Sequence, residues 1–388
     1  MKTTYLDHGA TSFPKPECVY QVIESFMREC GGSPGRGSHR KAREADAVVL
    51  ETRRALAGLL GVTNPERIVL TGNATESLNL AILGIVKPGD HVVLTDLEHN
   101  AVARPLWRLR DTLGVRISVV ESSAEGFIDP AAVARAIKRD THLVCCTHVN
   151  NVLGTIQPVE EIAELAGRRQ VPLLVDASQS AGLVPIDVEA MGIDLLAFTG
   201  HKALLGHPGT GGLYVREGLS IEPLKFGGTG VRSESLVQPD SMPEGYEAGT
   251  ANAFGIAGLG AAVGYVTARG VESIRAHEVS LNELFMESLG AIPGATVYGP
   301  SSTARKVGIT SLNLDGLDPI DVGRLLDRRF GVLVRTGLHC SALTHTKLRT
   351  QNRGAIRFSF GYSSTQGDVV CALEALRQIT ATIYEEVP

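Results

Sequence analysis

The chain has 388 residues, 43% of them hydrophobic, 20% charged and 5% aromatic, with a formal net charge of -5. That length exceeds one ordinary core, so two domains are expected. The weak acidity gives no general attraction to nucleic acid or to an anionic membrane surface, and the low aromatic content disfavours a base-stacking platform. Residues 1–16 read as an extended arm ending in Phe13-Pro14-Lys15-Pro16, and helical periodicity follows from Val19 to Cys30. The segment GGSPGRGSH is a loop by composition, and the amphipathic stretch Ala42 to Leu60 is a helix closed by Gly61.

Strand and helix patterns then alternate. Strands are predicted at Arg67–Thr71, His91–Thr95, Arg116–Val120, Leu143–Thr147, Pro172–Val175, Asp194–Phe198 and Gly211–Val215. Helices are predicted between them at Thr75–Val86, Val102–Leu113, Pro130–Arg139 and Val159–Arg168. Such alternation marks an α/β protein with a mostly parallel sheet covered by helices. After Ala253 the pattern changes. Helices at Ile256–Ala268 and Val271–Leu289 precede strands at Ala295–Tyr298 and Gly308–Leu314. A helix at Pro319–Arg329, strands at Val332–Arg335 and Ala355–Phe360, and a helix at Gln366–Glu385 complete a smaller α+β unit. The expected organisation is an arm (1–16) packing on the small domain, a large domain (17–255) and a small C-terminal domain (256–388).

The six cysteines, Cys18, Cys30, Cys145, Cys146, Cys340 and Cys371, form no CxxC pair. Reduced thiols in a cytoplasmic compartment are expected. The start, MKTTYLDHGATSFPKP, lacks the apolar core of a secretory signal, and no uncharged apolar run is long enough to cross a bilayer.

Ligands of α/β sheets sit outside the carboxyl ends of the strands, and the residues with chemical potential cluster there. Lys202, in Thr199-Gly200-His201-Lys202, follows a strand; burial and cationic neighbours can lower the pKa of such an amine, which can then form a Schiff base. The turn Thr71-Gly72-Asn73-Ala74-Thr75-Glu76 opens a helix whose N-terminus suits a phosphate, although Asn73 or Thr75 can equally serve as a plain cap. His99 can stack on a heteroaromatic ring or be a structural hydrogen-bonder. Asp176 can pair with a protonated pyridine nitrogen or cap the next helix, Gln179 can reach a ring hydroxyl oxygen, and Asn150 and Asn151 are equally ambiguous.

The strings YLDHGATSFPKP, TGNATES, LEHNAV, THVNNVLGT, VDASQSAG, FTGHK, YEAGTAN, VRTGLHC and IRFSFGY, in this order, resemble the class V aminotransferase group of pyridoxal-phosphate enzymes. Within it the chain is similar to the cysteine desulfurase and selenocysteine lyase branch, over nearly its whole length. The resemblance implies the fold of type I pyridoxal-phosphate-dependent transferases and a cofactor joined to Lys202. Ala74, Thr75, Thr199 and His201 would hold the phosphate, and His99 would stack on the ring. Asp176 would face the pyridine nitrogen, with Gln179 and Asn151 on the ring-oxygen side. Thr250 would reach the phosphate of a second subunit, which implies a homodimer. Arg357 would grip the substrate carboxylate, with Asn151, Gly9 and Ala10 on the substrate side. Cys340 would take up sulfur from L-cysteine, leaving L-alanine and an enzyme persulfide, with His339 and Arg335 favouring its thiolate.

Three positions depart from that group: His8 and Gly9 stand where relatives commonly have Asn and Ala, and Asn100 stands where one branch has a second histidine. A selenocysteine lyase, or a class V aminotransferase or epimerase with an incidental Cys340, are the enzymatic alternatives; a non-catalytic scaffold of a sulfur pathway is the third. The sulfur acceptor, which can be a protein, is not named by any motif. The segment Ser341 to Gly354 is polar and is expected to be mobile. Gly31-Gly32-Ser33-Pro34-Gly35 matches a hydrolase elbow only formally, because Pro34 removes the needed donor. Arg36 and His39 are expected near a neighbouring subunit's site. His339, Cys340 and His345 lack a fourth zinc ligand, so no metal is expected. Cys145 and Cys146 read as core, and no nucleotide-binding motif occurs.

Overall fold

The computed structural model describes residues 3–35 and 37–384. Arg36, and Glu385 at the end of the expected last helix, lie outside them. The chain opens with β1 (Thr4–Tyr5) and helices Glu17–Ser25 and Arg40–Leu60, the first running on through a π-helical turn, Phe26–Cys30. A seven-stranded sheet follows, made of β2 (Ile68–Thr71), β3 (His91–Thr95), β4 (Arg116–Val120), β5 (Thr141–Thr147), β6 (Leu173–Asp176), β7 (Leu195–Thr199) and β8 (Gly211–Val215). Their order is β2-β8-β7-β6-β5-β3-β4.

The central strands HVVLT and LLAFT are buried at every position, as parallel strands covered on both faces must be. β3, β4, β5, β6 and β7 pair in parallel; β8 runs antiparallel to β7 and β2 antiparallel to β8. Two reversals leave β2 parallel with β7. The chain therefore leaves β2, β3, β5, β6 and β7 at one common edge, with Thr147 beside Asp176 and both Thr71 and Thr199 beside Gly211. Glycine at 211 is a packing requirement. A Cβ there would lie 2.7 Å from the Phe198 carbonyl oxygen and 2.8 Å from the Asn73 carbonyl carbon, so only glycine lets the turn before helix Ala74–Ile85 press against the sheet.

A second sheet has four antiparallel strands in the order β12-β13-β10-β9: β9 (Ala295–Tyr298), β10 (Ile309–Leu314), β12 (Arg335–Gly337) and β13 (Ala355–Ser359). Its core gathers Leu6, Phe285, Leu312, Leu326, Phe358 and Leu376 beneath helices Val271–Leu289, Pro319–Phe330 and Gln366–Tyr384. β11 (Val332–Leu333) pairs in parallel with β1 of the arm. The single strand expected at Val332–Arg335 is thus two short ones, because β11 serves the arm while β12 serves β13.

The segment after Cys340 departs from expectation. It forms a helix, Ala342–Lys347, with Thr344 and His345 fully buried. Asn150 Nδ2 donates to Thr344 Oγ1 (3.0 Å), and His345 pairs with Thr350 (2.8 Å), so buried partners hold a run that looks polar and loose in sequence. Among the described residues no single helix is long and apolar enough to cross a membrane.

Candidate active site

Lys202 sits just past β7, facing a cleft with about 500 Å³ of open space. The cleft is lined by residues of every loop at the common sheet edge: Ala74 and Thr75 after β2, His99 after β3, Asn151 after β5, Asp176, Ser178 and Gln179 at and after β6, Thr199 and His201 around β7. A second hollow of about 360 Å³ shares Lys202 and Gln179 with it and reaches His8, Gly9 and the buried Glu278. Lys202 keeps some access to the cleft, yet protein surrounds its amine closely. Desolvation brings its pKa down to about 8 against the pull of Asp176, with Arg357 and Arg335 adding to the fall. At pH 7 about a tenth of such amines are neutral, against well under a thousandth for an ordinary lysine.

The arm fixes the residue before this lysine. The carbonyl of His201 accepts from Lys15 Nζ (2.7 Å), the Ser12 amide (3.0 Å) and Thr11 Oγ1 (3.1 Å). Lys15 was not among the residues expected at the site; its contribution depends on a contact across 186 positions. His201 itself is kept neutral, its pKa brought down to about 4 by burial and by the two lysines.

At the helix end, Asn73 Oδ1 accepts from the Glu76 amide (2.9 Å). The cap and the cleft share this turn: Ala74 and Thr75, whose first-turn amides have no acceptor within the helix, line the cleft. His99 also has a capping role. Its Nδ1 accepts from the Ala101 amide (3.0 Å), which places its proton on Nε2. Burial takes its pKa down to about 4, so a flat, neutral imidazole lines the cleft. Asp176 Oδ1 accepts from the Ser178 amide (2.9 Å) and hydroxyl (2.5 Å), and Oδ2 has no hydrogen-bond partner among the described residues. Gln179 Nε2 donates to the Gly9 carbonyl (2.8 Å) and ties the arm to the cleft.

Glu98, one residue before His99, is a buried acid that sequence reasoning passed over. Its Oε1 accepts from Thr95 Oγ1 (2.7 Å) and the Thr147 amide (2.9 Å), while Oε2 is buried without a partner among the described residues. Burial pushes its pKa from 4.5 up to about 8. The folded chain holds this proton from about pH 4.5, where the unfolded chain releases it, up to about 8, so stability falls as pH rises through that window. Glu98→Gln carries no charge at any pH. It is expected to match the parent near pH 4 and to exceed it by on the order of a few kcal/mol at pH 9, read from denaturant unfolding at both values.

Arg357 is fully buried on β13. Its Nη2 donates to Asp7 Oδ1 (2.7 Å), its Nη1 to the Asn151 carbonyl (3.0 Å), and Nε has no partner among the described residues. Gly9 packs against the guanidinium: a Cβ there would lie 3.1 Å from Cζ. An alanine at this position would press on the arginine. Ala10 follows, with its amide donating to the Asp7 carbonyl (3.0 Å).

Cys340 is exposed at the end of a tight turn after β12. Arg335 Nη2 lies 3.6 Å from its Sγ, and a Cys340 thiolate is among the charges that raise the Lys202 pKa. His339 does not share Arg335's role. It is buried, with Nε2 on the Arg335 carbonyl (3.3 Å) and Nδ1 facing His345 Nε2 (3.2 Å). A carbonyl only accepts, so Nε2 of His339 carries the proton, and His345 Nε2–H donates to His339 Nδ1. Protonating His339 would set two donors against each other, and burial holds its pKa well below the ordinary value. The expectation that His339 favours the thiolate by charge is corrected: it is a neutral strut, and Arg335 supplies the charge.

Thr250 does not join this group. It is exposed and does not line the cleft of its own chain. Its segment is anchored by Arg53, whose guanidinium donates to both oxygens of Glu247 (2.7 and 3.0 Å), while the Leu70 amide donates to the same carboxylate (2.6 Å).

The sheet order, the smaller antiparallel unit and the lysine at the end of β7 define a fold type I transferase architecture. The chain belongs to the aminotransferase class-V family, whose model matches residues 4–371. It is 35% identical over 382 residues to a probable cysteine desulfurase of Methanothermobacter thermautotrophicus, covering 97% of this chain and 94% of the relative. It is likewise 35% identical to a probable cysteine desulfurase of Halobacterium salinarum, covering 97% and 92%. Among solved structures it is similar to an apo cysteine desulfurase from Thermococcus onnurineus, with TM-score 0.92, 33% identity and coverage of 98% and 95%. It is also similar to the cysteine desulfurase CsdA from Escherichia coli, with TM-score 0.89, 26% identity and coverage of 98% and 95%.

Proposed function

We propose that this chain is a pyridoxal-phosphate-dependent cysteine desulfurase that converts L-cysteine to L-alanine and leaves the sulfur as a persulfide on Cys340. The observation that carries the reading is a desolvated Lys202 amine that feels the charges of both the exposed Cys340 thiol and the Arg335 guanidinium flanking that thiol. Atoms balance as cysteine plus the Cys340 thiol giving alanine plus the Cys340 persulfide.

The donor set fits the cofactor. The open amides of Ala74 and Thr75, with Thr75, Thr199 and His201, suit a phosphate dianion. Asp176 Oδ2, without a donor on a side chain that lines the cleft, suits a protonated pyridine nitrogen, and the neutral face of His99 suits ring stacking. Gln179 and Asn151 flank the ring-oxygen side. When bound, pyridoxal phosphate supplies the electron sink that makes bonds of the substrate amino acid labile. Lys202 supplies the amine that anchors the cofactor and, with a pKa of about 8, exchanges protons near neutrality. Arg357, with Asn151, Gly9 and Ala10 on the same side, binds the substrate carboxylate; its buried Nε has no partner among the described residues. Arg335 stabilises the thiolate of Cys340 as it takes the substrate sulfur.

Thr250 completes the phosphate site of a second copy, so the working unit is a homodimer. The compartment is cytoplasmic, in keeping with six unpaired cysteines. The acceptor that removes the persulfide sulfur is a thiol, on a small molecule or a protein, reaching Cys340 from solvent. L-selenocysteine is an alternative substrate. The division into an arm (1–16), a cofactor-binding domain (17–255) and a small domain (256–388) is part of this proposal, supported by the separate sheets and cores. Helix Ala253–Arg269 spans the 255/256 junction and packs its Gly258 on Ile23 and its Gly260 on Thr52.

The test is product analysis after incubation with L-cysteine and with L-selenocysteine, with and without pyridoxal phosphate. With an added thiol to reduce the persulfide, alanine is expected in an amount equal to the sulfide released from L-cysteine, or to the selenide released from L-selenocysteine, and only with the cofactor; the absence of alanine overturns the reading. Arg357→Lys keeps the charge and loses the planar fork. Its KM for L-cysteine is expected to rise by about 10- to 100-fold with a smaller change in kcat, read from initial rates.

A further inference from the structure

We infer that Asn151 is the positioning residue for Cys340. The inference rests on the desulfurase reading and gives Asn151 a task beyond cofactor and substrate contact. His339 and Cys340 are consecutive non-glycine residues in the left-handed region, with φ of 51° and 56°. L-residues resist that conformation, so the surrounding structure must impose it. Asn151 does so from both sides of the cysteine. Its Nδ2 donates to the His339 carbonyl (2.8 Å), and its Oδ1 accepts from Ser341 Oγ (2.9 Å), both within the buried interior.

Two neighbours complete the grip. The amide of Asn100, the residue that departs from the branch with a second histidine, donates to the Cys340 carbonyl (2.8 Å). Asn150 holds Thr344, within the following helix, through Nδ2 (3.0 Å). The backbone carbonyl of Asn151 meanwhile accepts from Arg357 Nη1 (3.0 Å). One residue of the loop after β5 thus carries the sulfur-accepting turn on its side chain and the carboxylate-binding arginine on its main chain. The spacing between the substrate's carboxylate and the thiol that attacks its sulfur is set there. Sulfur transfer is sensitive to that spacing because misplacing reacting atoms by about 1 Å can cost about 100-fold in rate.

The test uses cofactor-loaded protein and the variants Asn151→Ala, Ser341→Ala and Ser341→Thr. Ser341 belongs to neither the cofactor set nor the substrate set, so its variants isolate the grip. Expected for Ser341→Ala are a kcat lowered about 3- to 10-fold, a KM for L-cysteine within about twofold of the parent and unchanged cofactor content. Ser341→Thr, which keeps the hydroxyl, is expected to restore kcat. Asn151→Ala is expected to lose about 10- to 100-fold in kcat and to exchange the amides of 339–344 faster while the strand amides are unchanged. A kcat within about twofold of the parent in both alanine variants, or unchanged exchange across 339–344 in Asn151→Ala, overturns the inference. If Asn151→Ala does not fold, the Ser341 pair decides. If the parent releases no alanine from cysteine, the desulfurase reading fails on its own, and hydrogen exchange still decides whether Asn151 holds the turn.

Discussion

Lys202→Ala is expected to abolish the absorption band near the violet edge of the visible that pyridoxal phosphate gives the parent protein. It is also expected to lower alanine formation from L-cysteine by at least about 10³-fold. The reason lies in the amine's surroundings. An exposed lysine would be protonated at neutral pH and a poor nucleophile; here burial, opposed by Asp176 and helped by Arg357 and Arg335, leaves a pKa of about 8. The same value predicts that the rate at which cofactor-free protein takes up pyridoxal phosphate rises with pH and levels off above about 8. Lys202→Arg, which keeps a cation but cannot be deprotonated, should behave as the alanine variant does. A parent protein that stays colourless with the vitamin supplied, or a Lys202→Ala variant that retains the band, would contradict the assignment.

Cys340→Ala is expected to keep the band, and to keep the perturbation of that band by L-cysteine, while losing cysteine turnover by about 10²- to 10³-fold. This separates the desulfurase from an aminotransferase or epimerase in which the thiol is incidental. In those enzymes the cysteine has no partner in the reaction, and the variant should run at the parent's rate. Because Arg335 supports the thiolate through a contact of 3.6 Å, Arg335→Gln should fall between the parent and Cys340→Ala. Turnover to alanine and sulfide that is unchanged in Cys340→Ala, with no thiol added, would remove the persulfide from the mechanism.

Much of this site was legible from short-range pattern. The apolar runs HVVLT, LLVD and LLAFT, each followed by a polar turn, are dictated by burial on both faces of a parallel sheet. Once such strands pair, their carboxyl ends must line up, and Thr75, His99, Asp176 and Lys202 fall into one cleft without further instruction. Even the ambiguity was visible, between helix cap and ligand group at Asn73 and Thr75 and between structural hydrogen bond and ring stacking at His99, and in the fold Asn73 and His99 each cap a helix while lining the cleft.

What the sequence determined by itself was therefore the alternation of elements, the edge of the sheet that carries the chemistry and the residue types placed along it, since these follow from periodicity and local hydrogen-bonding rules. Tertiary structure alone decided the state of the groups around them. His339 looked like a cation beside a thiolate and is a neutral strut, because its proton is committed to the Arg335 carbonyl and its other nitrogen to His345. The segment after Cys340 looked loose and is a helix, because Asn150 holds Thr344 and Asn151 holds Ser341 across nearly two hundred residues. Charge state depends on burial, and order on partners distant in sequence; both exist only once the chain has closed on itself.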